Sequence, residues 1–135
     1  MTRTINKVAV VGAGTMGAGI AGICAAAGLP VTLLDLTRET ATNAVQRLTS
    51  GRNPVLDDAT AAGIQCGSIE EDLDKLADAD WICEAIIENL EIKQSLFTRL
   101  DTVRKKGSIV TSNTSGIPLR DICQGQSTAM NADIA

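Results

Sequence analysis

The chain has 135 residues, of which 44% are hydrophobic and 21% charged, and its formal net charge is -4. This length and composition predict a single globular domain with a buried core. The acidic balance argues against nucleic acid as a partner, because proteins that bind the phosphate backbone need a basic face. No histidine and no C-x-x-C pair occur, so we expect no metal site and read the four cysteines as reduced thiols of a cytoplasmic protein.

The first 30 residues have one alternative reading, as a secretion signal or a membrane helix. Arg3 and Lys7 precede an apolar stretch, and three alanines at 25–27 resemble a cleavage site. A signal or membrane helix rarely carries as many glycines as this stretch does, at Gly12, Gly14, Gly17, Gly19 and Gly22. We therefore expect no contact with a membrane.

The predicted elements alternate between short β-branched runs and longer amphipathic segments. In chain order they are strand 5–11, helix 16–27, strand 31–34, helix 38–49, a loop 51–63 with at most one helical turn, strand 64–66, short acidic helix 69–76, strand 81–85, helix 89–105, strand 108–111, a helix that begins over 117–123, and a tail 124–135 with weak signals. This alternation predicts an α/β fold with a doubly wound, mainly parallel sheet of the Rossmann type.

A glycine-rich loop follows the first predicted strand. Residues 12–17 read GAGTMG, the G-x-G-x-x-G pattern. In such a loop Gly12 permits the tight turn, Gly14 allows the backbone to approach a pyrophosphate, and Gly17 lets the helix pack on the strand. Ala13, Thr15 and Met16 lie between them, where the helix start offers N–H groups and a positive dipole end to the phosphates.

An acidic residue ends the second predicted strand. The Asp35 carboxylate is placed to accept both hydroxyls of an adenosine ribose, and it would repel a 2′-phosphate. The sequence therefore predicts NAD rather than NADP, although nearby Arg38 could weaken that preference. A SAM-dependent methyltransferase is an alternative, but its loop usually lacks the third glycine. The other alternative is that the glycines only pack a helix and that Asp35 only caps one.

Two later blocks are more specific than the glycine loop. Residues 79–93 read ADWICEAIIENLEIK and residues 112–116 read SNTSG. Together with GAGTMGAGIA at 12–21, they resemble the amino-terminal domain of the L-3-hydroxyacyl-CoA dehydrogenases over nearly the whole chain. The resemblance implies oxidation of the 3-hydroxyl of an acyl-CoA with hydride transfer to NAD, as in fatty-acid β-oxidation, and a homodimer once a helical carboxyl-terminal domain is present.

The resemblance also implies roles for three residues. Glu88 matches a glutamate that holds the nicotinamide-side ribose, and Lys93 a lysine near that ribose and the pyrophosphate. Ser115 matches the catalytic serine that contacts the substrate hydroxyl and the nicotinamide. Each residue also has a non-functional interpretation. Glu88 could be a solvated surface charge, Lys93 an exposed lysine on a helix, and Ser115 a residue whose hydroxyl stabilises a turn.

The chain departs from the family pattern in two ways. Residues 38–63 are shorter than the helical insertion that the family usually has after the second strand, so the resemblance assigns no CoA contacts here. The family's general base is a histidine in a strand shortly after the SNTS block, and this sequence has no histidine. We therefore expect residues 1–135 to be a partial NAD-binding domain, truncated before the catalytic strand, with an incomplete sheet whose carboxyl-terminal edge is unprotected. Such a fragment is expected to bind NAD weakly without turnover.

Two rival functions stay open at this point. One is a non-catalytic module that binds or senses NAD. It has no need of a substrate-facing serine, so the SNTS block argues against it. The other is a related NAD-dependent dehydrogenase for a different hydroxy acid, such as a sugar acid, which would share the same kind of domain.

Overall fold

A computed structural model describes residues 4–52, 54–114 and 116–135. Its centre is a five-stranded sheet in which every neighbouring pair runs parallel, in the order β3-β2-β1-β4-β5. The strands are β1 Val8–Val11, β2 Val31–Asp35, β3 Ile64–Ser68, β4 Trp81–Glu84 and β5 Ile109–Ser112. The prediction of a doubly wound Rossmann-type sheet is confirmed.

Helices connect consecutive strands, as parallel pairing requires. The connecting helices are α1 Thr15–Ala26, α2 Arg38–Thr49, α3 Asp58–Ala61, α4 Ile69–Asp72 with a 3₁₀ turn at Leu73–Leu76, and α5 Leu90–Val103. Two further helices, α6 Leu119–Cys123 and α7 Thr128–Asp133, follow β5. No helix of the described ranges is both long and apolar enough to cross a bilayer.

The sheet separates two hydrophobic cores, and β1 contributes to both. Val8 and Val10 point to the core beneath α1 and α2, whereas Ala9 and Val11 point to the core beneath α5. All four side chains are fully buried. This two-sided burial explains why the strand reads as a continuous apolar run instead of an alternating one.

Several boundaries differ from the sequence prediction. Strand β1 begins at Val8, because the pairing with β2 and β4 starts there. The one short helical turn allowed within the predicted loop 51–63 is present as α3, whose start is capped by the Asp57 carboxylate accepting from the Thr60 N–H. The helix predicted from residue 117 begins at Leu119, after Pro118.

The tail differs most from its prediction. Ser127 caps a further helix, α7, and Met130 of that helix is fully buried in the α5-side core. After it, Ile134 bridges Val110 of β5 in parallel, and Ala135 N–H donates to Val110 O at 2.7 Å. The sequence-based expectation that the β5 edge of the sheet is unprotected was therefore wrong at Val110, where the end of the tail pairs with β5.

Candidate functional site

The strand order places a crevice at the carboxyl ends of β1 and β4. The chain runs from β1 outward to β2 and β3, then returns to the other side of β1 for β4 and β5. Such a reversal leaves space between the loops that leave the two central strands, and ligands of open α/β sheets bind there. A cleft of about 620 Å³ lies at this point, lined by Gly12, Gly14, Asp35, Ile86 and Ile92 among others. Its volume suits a ligand of nucleotide size.

Two glycines of the loop are required by packing. Gly12 has φ +115°, and a Cβ there would lie 2.4 Å from Ala85 O. A Cβ on Gly17 would lie 1.8 Å from Gly12 O, so α1 could not stay this close to the loop. These contacts agree with the turn and packing functions predicted for Gly12 and Gly17.

The start of α1 is the part of the loop that fits a phosphate. Gly14 is the N-cap residue, no side chain caps the helix, and a Cβ on Gly14 would meet nothing within 4 Å. Side chains of the chain itself cap most other helices, namely Thr37, Asp57, Ser68, Asn89 and Ser127. Exposed Thr15 and Met16 form the first turn. An open helix start beside empty space is suited to a pyrophosphate.

Asp35 lies at the end of β2 and borders the same cleft. Its Oδ2 accepts the Ala13 N–H at 2.6 Å, and its Oδ1 accepts the Leu36 N–H at 2.6 Å. The carboxylate is therefore tied to the glycine loop. Because the Ala13 N–H is already used, the predicted phosphate contact at Ala13 would need this hydrogen bond to change.

Beneath the cleft lies a fully buried ion pair. Lys93 and Glu84 both have 0% exposed side chains, and Lys93 Nζ lies 2.5 Å from Glu84 Oε2. The ammonium also donates to Ile86 O at 3.2 Å, while the Ile86 N–H donates to Glu84 Oε2 at 2.7 Å. Lys93 is thus not the exposed helix lysine of its ordinary reading, and its role toward the ribose stays a prediction.

Glu88 joins this ion pair to the SNTSG segment. Its Oε2 accepts from Thr114 Oγ1 at 2.8 Å and from the Gly116 N–H at 3.2 Å, and its Oε1 lies 3.6 Å from Lys93 Nζ. The Thr114 hydroxyl, above all, lowers the pKa of the Glu88 carboxyl, with help from Gly116 and Lys93. Glu88 is therefore ionised near neutral pH. Ser115 itself lies outside the described residues.

Four residues of this network are absent from the predicted site residues, namely Glu84, Ser112, Thr114 and Gly116. Glu84 ends β4, and its Oε1 accepts from Ser112 Oγ, the last residue of β5, at 2.5 Å. A signal was present in the sequence: Glu84 is an acid in the middle of an otherwise apolar run, where burial requires a partner. The identity of that partner could not be predicted from the sequence. Lys93 lies nine residues away on a helix, and only the fold shows that its side chain is buried against Glu84.

Comparison with known proteins identifies the family. A model of the 3-hydroxyacyl-CoA dehydrogenase NAD binding domain matches residues 7–132. The chain belongs to this family. It is therefore an NAD-binding Rossmann domain of the 3-hydroxyacyl-CoA dehydrogenases, and the predictions of family and cofactor are confirmed.

Individual relatives agree with this assignment. A probable 3-hydroxyacyl-CoA dehydrogenase of Deinococcus radiodurans is 43% identical over 91% of this chain and 38% of its own length. A probable 3-hydroxyacyl-CoA dehydrogenase of Bacillus subtilis is 38% identical over 98% of this chain and 20% of its own length. The domain thus spans about a fifth to two fifths of these two relatives.

Solved structures show the same fold. The 3-hydroxybutyryl-CoA dehydrogenase of Escherichia coli superimposes with a TM-score of 0.76 and 33% identity, over 93% of this domain and 28% of that chain. The dehydrogenase part of a multifunctional enzyme from C. elegans has a TM-score of 0.80 at 23% identity, over 96% of this domain and 30% of that chain. The latter likeness supports the fold alone.

Proposed function

We propose that this domain is the cofactor half of a dehydrogenase that passes a hydride from the 3-hydroxyl of an acyl-CoA to NAD. The observation that carries the proposal is that three features lie at the carboxyl ends of the neighbouring strands β2, β1 and β4. They are the uncapped start of α1 beside Gly14, the Asp35 carboxylate on the glycine loop, and Glu88 bonded to both neighbours of Ser115. Bound NAD would supply the hydride acceptor.

In this proposal each group has one task. Gly14, Thr15, Met16 and Gly17 present the N–H groups of the first turn to the pyrophosphate, and Asp35 accepts from the adenosine ribose. Glu88, which stays ionised, accepts from the second ribose. This would place the nicotinamide near Ser115, whose hydroxyl would contact the substrate oxygen.

For Lys93 we propose an indirect form of the role near the ribose that the resemblance implies. Its ammonium is buried between Glu84 and Glu88, so it would hold the Glu88 carboxylate in position for the ribose without itself contacting the cofactor. A direct contact with the cofactor would need the side chain to leave Glu84.

The general base is the part of the reaction that residues 1–135 do not supply. Removal of the hydroxyl proton needs a base within reach, and the sequence has no histidine. We infer that the base, most of the acyl-CoA pocket and a homodimer contact belong to other segments of the protein. The four free cysteines support a reducing, cytoplasmic location.

A chimeric enzyme tests this function. The segment of the Deinococcus radiodurans relative that matches this chain is replaced by residues 1–135, and NADH consumption with acetoacetyl-CoA is followed. We expect turnover by the chimera and none by the 135-residue chain alone. Ser115→Ala should lower kcat/KM of the chimera by about 10- to 100-fold, the worth of one strong hydrogen bond to the reacting oxygen.

The unaltered parent relative, assayed under the same conditions, is the control. A chimera that folds and binds NADH but does not reduce acetoacetyl-CoA, while the parent does, would contradict the proposed reaction. Turnover by the isolated 135-residue chain would contradict the assignment of the base to other segments.

A further inference from the structure

Selection between NAD and NADP depends on the cations near the adenosine ribose. A 2′-phosphate is stabilised by an arginine close to the acidic residue that ends the second strand. In this chain that arginine is Arg38, the first residue of α2 and three positions after Asp35. Where the Arg38 guanidinium points therefore decides whether it can serve a phosphorylated cofactor.

The structure turns Arg38 away from the ribose side. Its Nη2 lies 3.5 Å from Asp72 Oδ2, in an ion pair in which the arginine side chain is 62% exposed. The guanidinium borders the grooves beside β3, which are lined by Gln65, Cys66 and Thr42, and it is not among the described residues that line the cleft with Asp35. Asp35 has no ion pair within the described ranges, since its two oxygens accept from backbone N–H groups.

Asp72 is firmly placed to hold this cation. Its side chain is only 9% exposed, its Oδ2 accepts the Ser68 N–H at 2.9 Å, and its Oδ1 lies 3.0 Å from Lys75 Nζ. A Cβ on Gly67 would come within 2.5 Å of this carboxylate, so the glycine makes room for it. The Ser68 N–H, followed by Lys75, lowers the pKa of Asp72, which is therefore charged at neutral pH.

We propose that Asp72 is a specificity-determining residue for the cofactor, which holds Arg38 against β3 and so withholds the cation that a 2′-phosphate would need. Selection of NAD then has two independent parts. Asp35 repels the 2′-phosphate, and Asp72 holds the Arg38 guanidinium away from the position where that phosphate would bind. The inference rests on the proposed contact between Asp35 and the adenosine ribose.

Four variants of the 135-residue chain test this, with NADH and NADPH affinities measured by calorimetry. Asp35→Ser removes the repelling charge and is the reference. Asp35→Ser with Arg38→Ala should bind NADPH as the reference does, within twofold, because Arg38 is held away. Asp35→Ser with Asp72→Asn should bind NADPH about three- to fivefold more tightly than the reference, the most that release from an exposed ion pair of this kind can supply. Adding Arg38→Ala to this last pair should abolish the gain.

These measurements test the role of Asp72 separately from the contact between Asp35 and the adenosine ribose. A fivefold or larger loss of NADPH affinity on adding Arg38→Ala to Asp35→Ser would overturn the inference, and this comparison does not depend on Asp72→Asn folding. So would a folded Asp35→Ser/Asp72→Asn variant without any gain. An unchanged NADH affinity in Asp35→Ser would instead refute the ribose contact itself, and the inference with it.

Discussion

At the scale of single residues, the buried pair of Glu84 and Lys93 raises an energetic question. Two charges removed from water lose several kcal/mol of hydration each, which their attraction offsets only when further hydrogen bonds complete the geometry. Here Ser112, the Ile86 N–H and the Ile86 carbonyl supply those bonds. The pair is thus fully satisfied, and it fixes where β4, β5 and α5 meet beneath the cleft.

This arrangement predicts strong coupling between the two charges. Lys93→Met should destabilise the domain by about 3–5 kcal/mol, because it leaves the Glu84 carboxylate buried without a counterion. The double variant Glu84→Gln/Lys93→Met should be closer to the wild type than the sum of the two single changes, by roughly 1–3 kcal/mol. Urea unfolding followed by circular dichroism measures all three.

Arg99 offers a matched control, since it pairs with Glu70 at the surface. Arg99→Met should change the free energy of unfolding by less than about 1 kcal/mol. Strict additivity of the Glu84 and Lys93 variants would show that the pair does not act as a unit.

At the scale of elements, the glycine loop shows two kinds of glycine that the sequence does not distinguish. Gly17 is enclosed by the loop backbone, whereas Gly14 faces open space and has an extended backbone that any residue adopts. The first is needed for the fold. Packing among the described residues does not require the second, so a need for glycine at position 14 would come from a bound ligand.

A pair of alanine variants separates these roles. Gly14→Ala should leave the melting temperature within about 2 °C of wild type while weakening NADH binding tenfold or more, because the added methyl group occupies the space beside the helix start. Gly17→Ala should lower stability by roughly 2 kcal/mol or more, since its Cβ overlaps Gly12 O. Thermal melts and calorimetry on both proteins decide this. A Gly14→Ala protein with unchanged NADH affinity would contradict phosphate binding at this helix start.

The elements also show what could be read from the sequence. The strands and long helices were predictable because their periodicities are local, and Asp35 because it follows a strand. The α7 segment was not, since its burial depends on Met130 reaching a core built mostly from distant residues. The Glu84–Lys93–Glu88 network depends in the same way on how α5 packs against β4, and no spacing rule gives that.

At the scale of the whole molecule, Asp80 connects three parts of the chain at the end of the sheet opposite the cleft. Its Oδ2 accepts the N–H groups of Asn6 and Lys7, before β1, and its Oδ1 accepts from Lys105, which precedes β5. Lys105, above all, and then Asn6 lower the pKa of the Asp80 carboxyl. The pKa values of Asp57, Asp72, Asp78 and Glu88 are lowered as well.

These shifts set how stability depends on pH. A carboxyl whose pKa is lower in the folded state stabilises the protein above its unfolded pKa, near 4, and that contribution is lost as the pH falls through this value to the folded pKa. Histidine, the side chain that ordinarily titrates between pH 5 and 8, is absent. The melting temperature should therefore be nearly constant from about pH 6 to pH 8 and fall below about pH 5.

Asp80→Asn tests whether the connection at Asp80 contributes to this fall. The amide oxygen can still accept from the backbone, but the charge facing Lys105 is gone. We expect the variant to melt below the wild type at neutral pH, with the gap narrowing toward pH 3, where the wild-type carboxyl is itself losing its charge. Glu39 is exposed on α2 and has no ion pair within the described ranges, so Glu39→Gln, which removes the same charge, serves as the charge-matched control and should show a much smaller pH-dependent gap. A gap between wild type and Asp80→Asn that stays constant from pH 7 to pH 3 would mean that the charge of Asp80 does not stabilise the fold.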